Sequence, residues 1–207
     1  MRSHRAAFPA SHSKPGLSWL IALLVATTAA CCAAPDSDPG KAAGFSSPKD
    51  LRSLIDQEGR PFSFARLANT TVLVNFIFTH CAVSCPAQTQ ALVGIQRKLP
   101  PALRPRVRFV SVTVDPERDT APILKRYAKA MGADLSGWSF VTGAASELDW
   151  LQRYYAAGAT VRNDSPLDHQ VGVYLLDAQG RLMQKYAGDF NKPRLLREIG
   201  EVDALSK

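Results

Sequence analysis

One stretch constrains the fold more than any other. It is Thr71-Val-Leu-Val-Asn-Phe-Ile-Phe78 running into Thr-His-Cys81-Ala-Val-Ser-Cys85-Pro86. Its first eight residues are almost continuously apolar, β-branched or aromatic, which suits a strand buried on both faces. A helical stretch over about residues 87–98 follows and stops at Pro100-Pro101, with Pro86 at home in a first helical turn. Residues 107–114 form a second such strand ending at Asp115-Pro116. Asp119 or Thr120 then stands where a cap would start a helix that Gly132 closes. Residues 139–142 read as a short strand, and Ser146 with Asp149 three places on marks another helix start. Residues 170–176 and 182–186 flank Asp177-Ala-Gln-Gly180 as a hairpin, and a last helix starts near Pro193. The expected fold class is α/β, a mixed β-sheet flanked by helices and finished by a β-hairpin and a helix.

Cys81 and Cys85 sit where the buried strand gives way to the helix. Carboxyl ends of strands in open α/β sheets collect ligands and chemistry. A cysteine near a helix N-terminus is favoured as thiolate by unpaired N–H groups and the helix dipole, which raises both nucleophilicity and metal affinity. A spacing of four lets both sulfurs face one side of the first helical turn. From there they can close a redox-active disulfide or converge on a soft metal. Two thiolates suit Cu(I), and an added imidazole makes the site acceptable to Cu(II). Zinc competes, but it wants a fourth ligand or an open catalytic position.

His169, in Asp168-His-Gln-Val-Gly-Val-Tyr-Leu-Leu-Asp177, is read as the third ligand, although a histidine at a strand edge is ordinarily a surface or hydrogen-bonded residue. His4 and His12 fall in the N-terminal segment. His80 neighbours Cys81, and adjacent residues at a strand end face opposite ways, so His80 is read as a modifier of thiol acidity.

The N-terminus is an address. Residues 1–16 carry only positive charge, and residues 17–34 run 18 positions without any, the pattern of an export signal or a short membrane anchor. Positive residues stay inside and the domain goes outside. Thr28-Ala-Ala-Cys31 resembles a bacterial lipoprotein processing site, with Thr28 where leucine is typical, so Cys31 is a lipidation candidate. The domains expected are residues 1–34 as signal or anchor, 35–48 as a polar linker and 49–207 as the folded unit. The predicted location is the bacterial cell envelope, facing the periplasm and held to the membrane by lipid or by an N-terminal helix. The net charge of +7 falls to +4 beyond residue 34, and few aromatics interleave with the cations, which argues against nucleic acid as a partner.

Three segments together resemble the Sco/SenC family: Phe78-Thr-His-Cys81-x-x-x-Cys85-Pro86, Ser111-Val-Thr-Val-Asp115-Pro-Glu-Arg-Asp119-Thr, and Asp168-His169 followed by Tyr174-Leu-Leu-Asp177-x-x-Gly180. The family commonly has proline after the first cysteine, where this chain has Ala82, which leaves the sulfurs less preorganised. The resemblance implies a thioredoxin-like fold and one copper, as Cu(I) or Cu(II), held by Cys81, Cys85 and His169. It also implies partners: a copper donor chaperone and cytochrome c oxidase subunit II or another periplasmic copper protein, whose dinuclear centre it helps assemble while reducing the target cysteines. Asp115 and Asp168 then stand as second-layer neighbours of His169, against simpler roles in helix initiation and turn formation. A general thiol–disulfide oxidoreductase without metal is the alternative, opposed by three intervening residues where thioredoxins have two. A thiol peroxidase is weaker still, because a further upstream proline is missing.

Overall fold

The computed structural model describes residues 46–157, 172–188 and 190–205. Five strands form one sheet: β1 (Thr71–Ile77), β2 (Val107–Thr113), β3 (Trp138–Val141), β4 (Gly172–Leu176) and β5 (Leu182–Ala187). Their order is β3-β2-β1-β4-β5. The first three run parallel, and β4 and β5 are antiparallel to their neighbours. The mixed sheet expected from the sequence is present, with the hairpin turn closed by Gly180 at φ 84°.

β1 is central, and all seven of its residues are buried, so its two faces feed two separate cores. Leu73 and Ile77 join Phe109, Val173 and Leu175 beneath α1 (Ser84–Lys98), α2 (Ala121–Met131) and α4 (Lys192–Leu205). Val72, Val74 and Phe76 point the other way, to Trp150 and Leu151 of α3 (Ala145–Ala157) and to Leu51, Leu54, Phe62 and Phe64 of the N-terminal segment. Each fully buried Leu or Ile contributes roughly 1.5–3 kcal/mol of transfer free energy, so this alternation holds the register. A polar chain crosses the first core. Trp138 Nε1 donates to Ser111 Oγ at 2.9 Å, Ser111 donates to Asn75 Oδ1 at 2.7 Å, and Asn75 Nδ2 donates to Gln88 Oε1 at 2.9 Å. Three strands and α1 are thereby fixed to one another.

Three boundaries differ from the sequence reading. α1 starts at Ser84, so Cys85 lies inside it. Thr120 occupies the cap position of α2 without a side-chain bond, while Asp119 turns into the interior. Gly132 does end α2 in the left-handed conformation, at φ 75°. Ser146 lies inside α3, because the N–H groups of Glu147 and Leu148 already bond to Ala144 O. Among the described residues no helix is long and apolar enough to cross a membrane. Residues 1–34, with Cys31, lie outside the described residues.

Candidate metal and thiol site

Parallel strands put their carboxyl ends at one pole, and the chain leaves β1 there through Phe78-Thr-His into Cys81. A turn closed by the Cys81 N–H on Phe78 O, 3.2 Å, brings the sulfur back over the start of α1. That helix has no side-chain cap of its own, since Val83 occupies the cap position. The Cys81 sulfur takes the role instead. It accepts from the Cys85 N–H at 3.3 Å and lies 3.1 Å from Ser84 Oγ. The spacing of four therefore works differently from the expectation. Cys81 stands outside the helix and caps it, while Cys85 is in the first turn.

The two thiols have opposite acidities. Burial pulls Cys81 upward, but the Ser84 hydroxyl and the N–H groups of Cys85 and Val83 outweigh it and bring the thiol down to about 7. Cys85 is only 2% exposed, and burial pushes it up to about 11, against a Phe78 N–H bond that favours its thiolate. The adjoining Cys81 sulfur adds to the rise by accepting the Cys85 proton and by like-charge repulsion. Both cysteines are free thiols. Tyr127 of α2 packs beside them with its hydroxyl 3.0 Å from Thr89 Oγ1, and burial raises it to about 12.

The loop carrying Cys81 is held by a residue read from sequence as a cap. Asp119 is fully buried, and three donors converge on its carboxylate: the Thr79 N–H (3.0 Å), the Thr79 hydroxyl (2.5 Å) and the Thr113 hydroxyl (2.6 Å). A carboxylate is an acceptor-only group, which is what three donors require. His80 is exposed, with Nδ1 3.3 Å from Thr79 Oγ1 and 3.9 Å from Asp119 Oδ1. Since the single Thr79 hydroxyl proton goes to Asp119, the Thr79 oxygen accepts from His80 Nδ1–H. Asp115 binds Arg118 Nε at 2.5 Å, and the Asp115 N–H bonds Thr113 Oγ1 at 2.9 Å. Asp168 and His169 lie outside the described residues. Among the described residues no cluster of three or more histidine, cysteine or acidic groups is placed to hold a metal.

Ala82, Val83 and Ser84 are exposed, Val83 by 75%, so the sulfur pair sits on an open rim. The cavity of about 390 Å³ lined by Pro48, Val72, Leu176 and Gly180 is at the opposite pole. An open rim suits another macromolecule better than an enclosed small substrate.

The SCO1/SenC family model matches residues 50–202. The chain belongs to that family. The mouse mitochondrial protein SCO2 homolog is 34% identical over 154 residues, covering 71% of this chain and 59% of its own length. The chain thus spans little more than half of the mammalian relatives it matches. The solved structure of BsSco, described as a member of the Sco family of cytochrome c oxidase assembly proteins with a disulfide switch, superposes with TM-score 0.61 at 27% identity, covering 77% of this chain and 98% of BsSco. Arabidopsis thaliana ScoI, solved with copper bound, gives TM-score 0.62 at 22% identity over 78% of this chain and all of that one, a likeness that carries the thioredoxin-like fold.

Proposed function

We propose that this SCO1/SenC protein is a membrane-tethered metallochaperone. One copper, as cargo, is taken by Cys81, Cys85 and His169 and handed to the dinuclear centre of a cytochrome c oxidase. The observation that carries the reading is the pair of soft sulfurs at the carboxyl end of β1, Cys81 closing the start of α1 and Cys85 in its first turn. Thiolates prefer Cu(I), and an imidazole extends the range to Cu(II). The donors around Cys81, a hydroxyl and amides, are weak enough to yield to a metal. β4 begins at Gly172, three residues after His169, and its Val173 pairs with Asn75 near the carboxyl end of β1. The chain that follows His169 thus joins the sheet at the cysteine pole. Asp115 and Asp168 are proposed to orient His169.

The test is a copper titration of the full chain and of its Cys81→Ala, Cys85→Ala and His169→Ala forms. Each single change should abolish the charge-transfer bands of a one-copper site. A His169→Ala protein with the spectrum and affinity of the parent would sink the three-ligand site.

The unlike acidities also favour a second reading, reduction of a client disulfide. The Cys81 thiolate attacks one client sulfur and forms a mixed disulfide, releasing the first client thiolate. Cys85, on losing its proton, attacks Cys81 and releases the second. Two electrons pass to the client, and the chain ends as the Cys81–Cys85 disulfide. Trapping by Cys85→Ser separates the readings: capture of many unrelated proteins favours a general oxidoreductase, and capture of one copper-site client favours the chaperone. The location proposed is the periplasmic face of a bacterial membrane, through residues 1–34 or through lipid on Cys31, and radiolabelled palmitate on Cys31 would discriminate the two.

A further inference from the structure

The pole opposite the cysteines is where the amino ends of β1–β3, the tail of α1 and the β4–β5 turn meet. Between Arg97 and Arg108 the sequence holds five cations, Arg97, Lys98, Arg104, Arg106 and Arg108, and no acid. Arg97, Lys98 and Arg104 are exposed, and Arg106 and Arg108 partly so. The cluster is braced. Arg104 Nε donates to Leu99 O at 3.1 Å, and Arg108 donates to the carbonyls of Arg104 and Val107 at 3.2 and 3.0 Å. These bonds go to carbonyls, and none of Arg97, Lys98, Arg104 and Arg108 is in an ion pair among the described residues, although the Asp134 carboxylate is near enough to feel the Arg104 charge. Two acids nearby are paired, Asp203 with Arg106 at 2.6 Å and Asp177 with Arg181 at 2.7 Å, and Asp134 offsets part of the Arg104 charge. Complementing the α1 dipole accounts for Arg97 and Lys98 in its last turn, but not for Arg104 or Arg108.

The described chain enters the domain at this same pole. Pro48 is buried beside Val72, Leu176 and Gly180, and Lys49 Nζ reaches Gln179 O at 3.4 Å. The Thr71 N–H bonds Arg106 O at 2.9 Å, so the same pole holds the basic loop. Cys81 is at the far end of β1, whose seven residues span roughly 20 Å.

We propose that the Arg97–Arg108 pole is a docking surface for an anionic lipid bilayer. It would seat the tethered domain upright, with Cys81, Cys85 and the exposed Val83 facing away from the membrane toward a client. The inference rests on the membrane tethering proposed above, for delivery of the domain to the bilayer. Each cation near an anionic surface strengthens binding about fivefold. Replacing two should therefore lower the docked-to-undocked ratio about 25-fold.

The experiment uses the full chain in vesicles of phosphatidylcholine, with and without phosphatidylglycerol. Flotation reports the tether, and amide hydrogen exchange of peptides spanning residues 97–108 reports docking. The expected result is protection of that segment only with phosphatidylglycerol. The protection should be lost in 0.5 M salt and in Arg97→Gln/Lys98→Gln, whose side chains are exposed, while flotation is unchanged. Equal exchange in both lipids, or protection that survives salt and the double substitution, overturns the docking surface while leaving the tether standing. Failure to float overturns the tether and the docking with it. An Arg104→Gln form with unaltered thermal midpoint should lower the docked-to-undocked ratio about fivefold, and if it keeps full protection the surface is misassigned.

Discussion

The unlike acidity of the two thiols sets a measurable selectivity. At pH 7 a thiol near 7 is about half ionised, whereas one near 11 is ionised in about one molecule in 10,000. Thiolate population alone thus favours Cys81 about 5,000-fold. The more basic thiolate is the better nucleophile, and a Brønsted slope of about 0.4–0.5 across four units returns a factor of about 40–100 to Cys85. The net preference is about 50- to 130-fold, and the burial of Cys85 widens it. Iodoacetamide labelling of the reduced full chain, followed by peptide-level mass spectrometry, also keeps Cys31 and Cys32 separate. Between pH 5.5 and 9 the Cys81 rate should rise with a midpoint near 7. Ser84→Ala should shift that midpoint upward by about one to two units, because a hydrogen bond to a charged group is worth about 1.5–3 kcal/mol and 1.36 kcal/mol is one unit. A parent midpoint at 8.5 or above, or equal labelling of the two cysteines, would refute the capping geometry.

The same shifts make reduced-state stability depend on pH. Cys81 has a lowered folded pKa, so its contribution is present above the unfolded value of 9.0 and is lost as pH falls through about 7. Cys85 is raised, so its contribution is present below 9.0 and is lost as pH climbs through about 11. Urea midpoints should therefore rise from pH 7 to 9 and fall beyond, with Cys81→Ala removing the rise. Asp119→Ala orphans one amide and two hydroxyls and should cost about 3 kcal/mol or more in chemical denaturation, with faster Cys81 labelling as its loop loosens. Asp119→Asn should recover little, since its NH₂ would face donors, and a loss below about 1 kcal/mol would refute the clamp. Glu147 is buried, and its two oxygens accept the N–H groups of Arg52 and Ser53 at 3.0 Å, so Glu147→Ala should expose the N-terminal segment to limited proteolysis and cost about 2–3 kcal/mol. A Cβ at position 143 would lie 3.0 Å from Leu54 Cδ2 and 3.1 Å from Ser53 O, so Gly143→Ala should lower the thermal midpoint.

Much of the fold was legible because its signals are local. β1 and β2 are unbroken apolar runs, Gly132 and Gly180 sit where the backbone turns left-handed, and Cys81 and Cys85 are four apart beside a strand end. What escaped is made by distant partners. A carboxylate just ahead of a helix reads as a cap, and the 40 residues between Asp119 and Thr79 conceal that it clamps the cysteine loop instead. Glu147 meets Arg52 and Ser53 across more than 90 residues, so the packing of the N-terminal segment on α3 had no local sign. The role of Cys81 as a cap had one faint signal, which is that neither Ala82 nor Val83 can supply an oxygen ahead of α1.

A sulfur that closes a helix is committed twice. Any bond it forms elsewhere, whether to a metal, to a client cysteine or to Cys85, draws on the lone pairs that hold the Cys85 amide and the Ser84 hydroxyl. The opening turn of α1 must then find other acceptors or fray. Whatever takes the Cys81 sulfur is therefore felt in the stiffness of one helical turn, where a partner could read it without touching the sulfur itself.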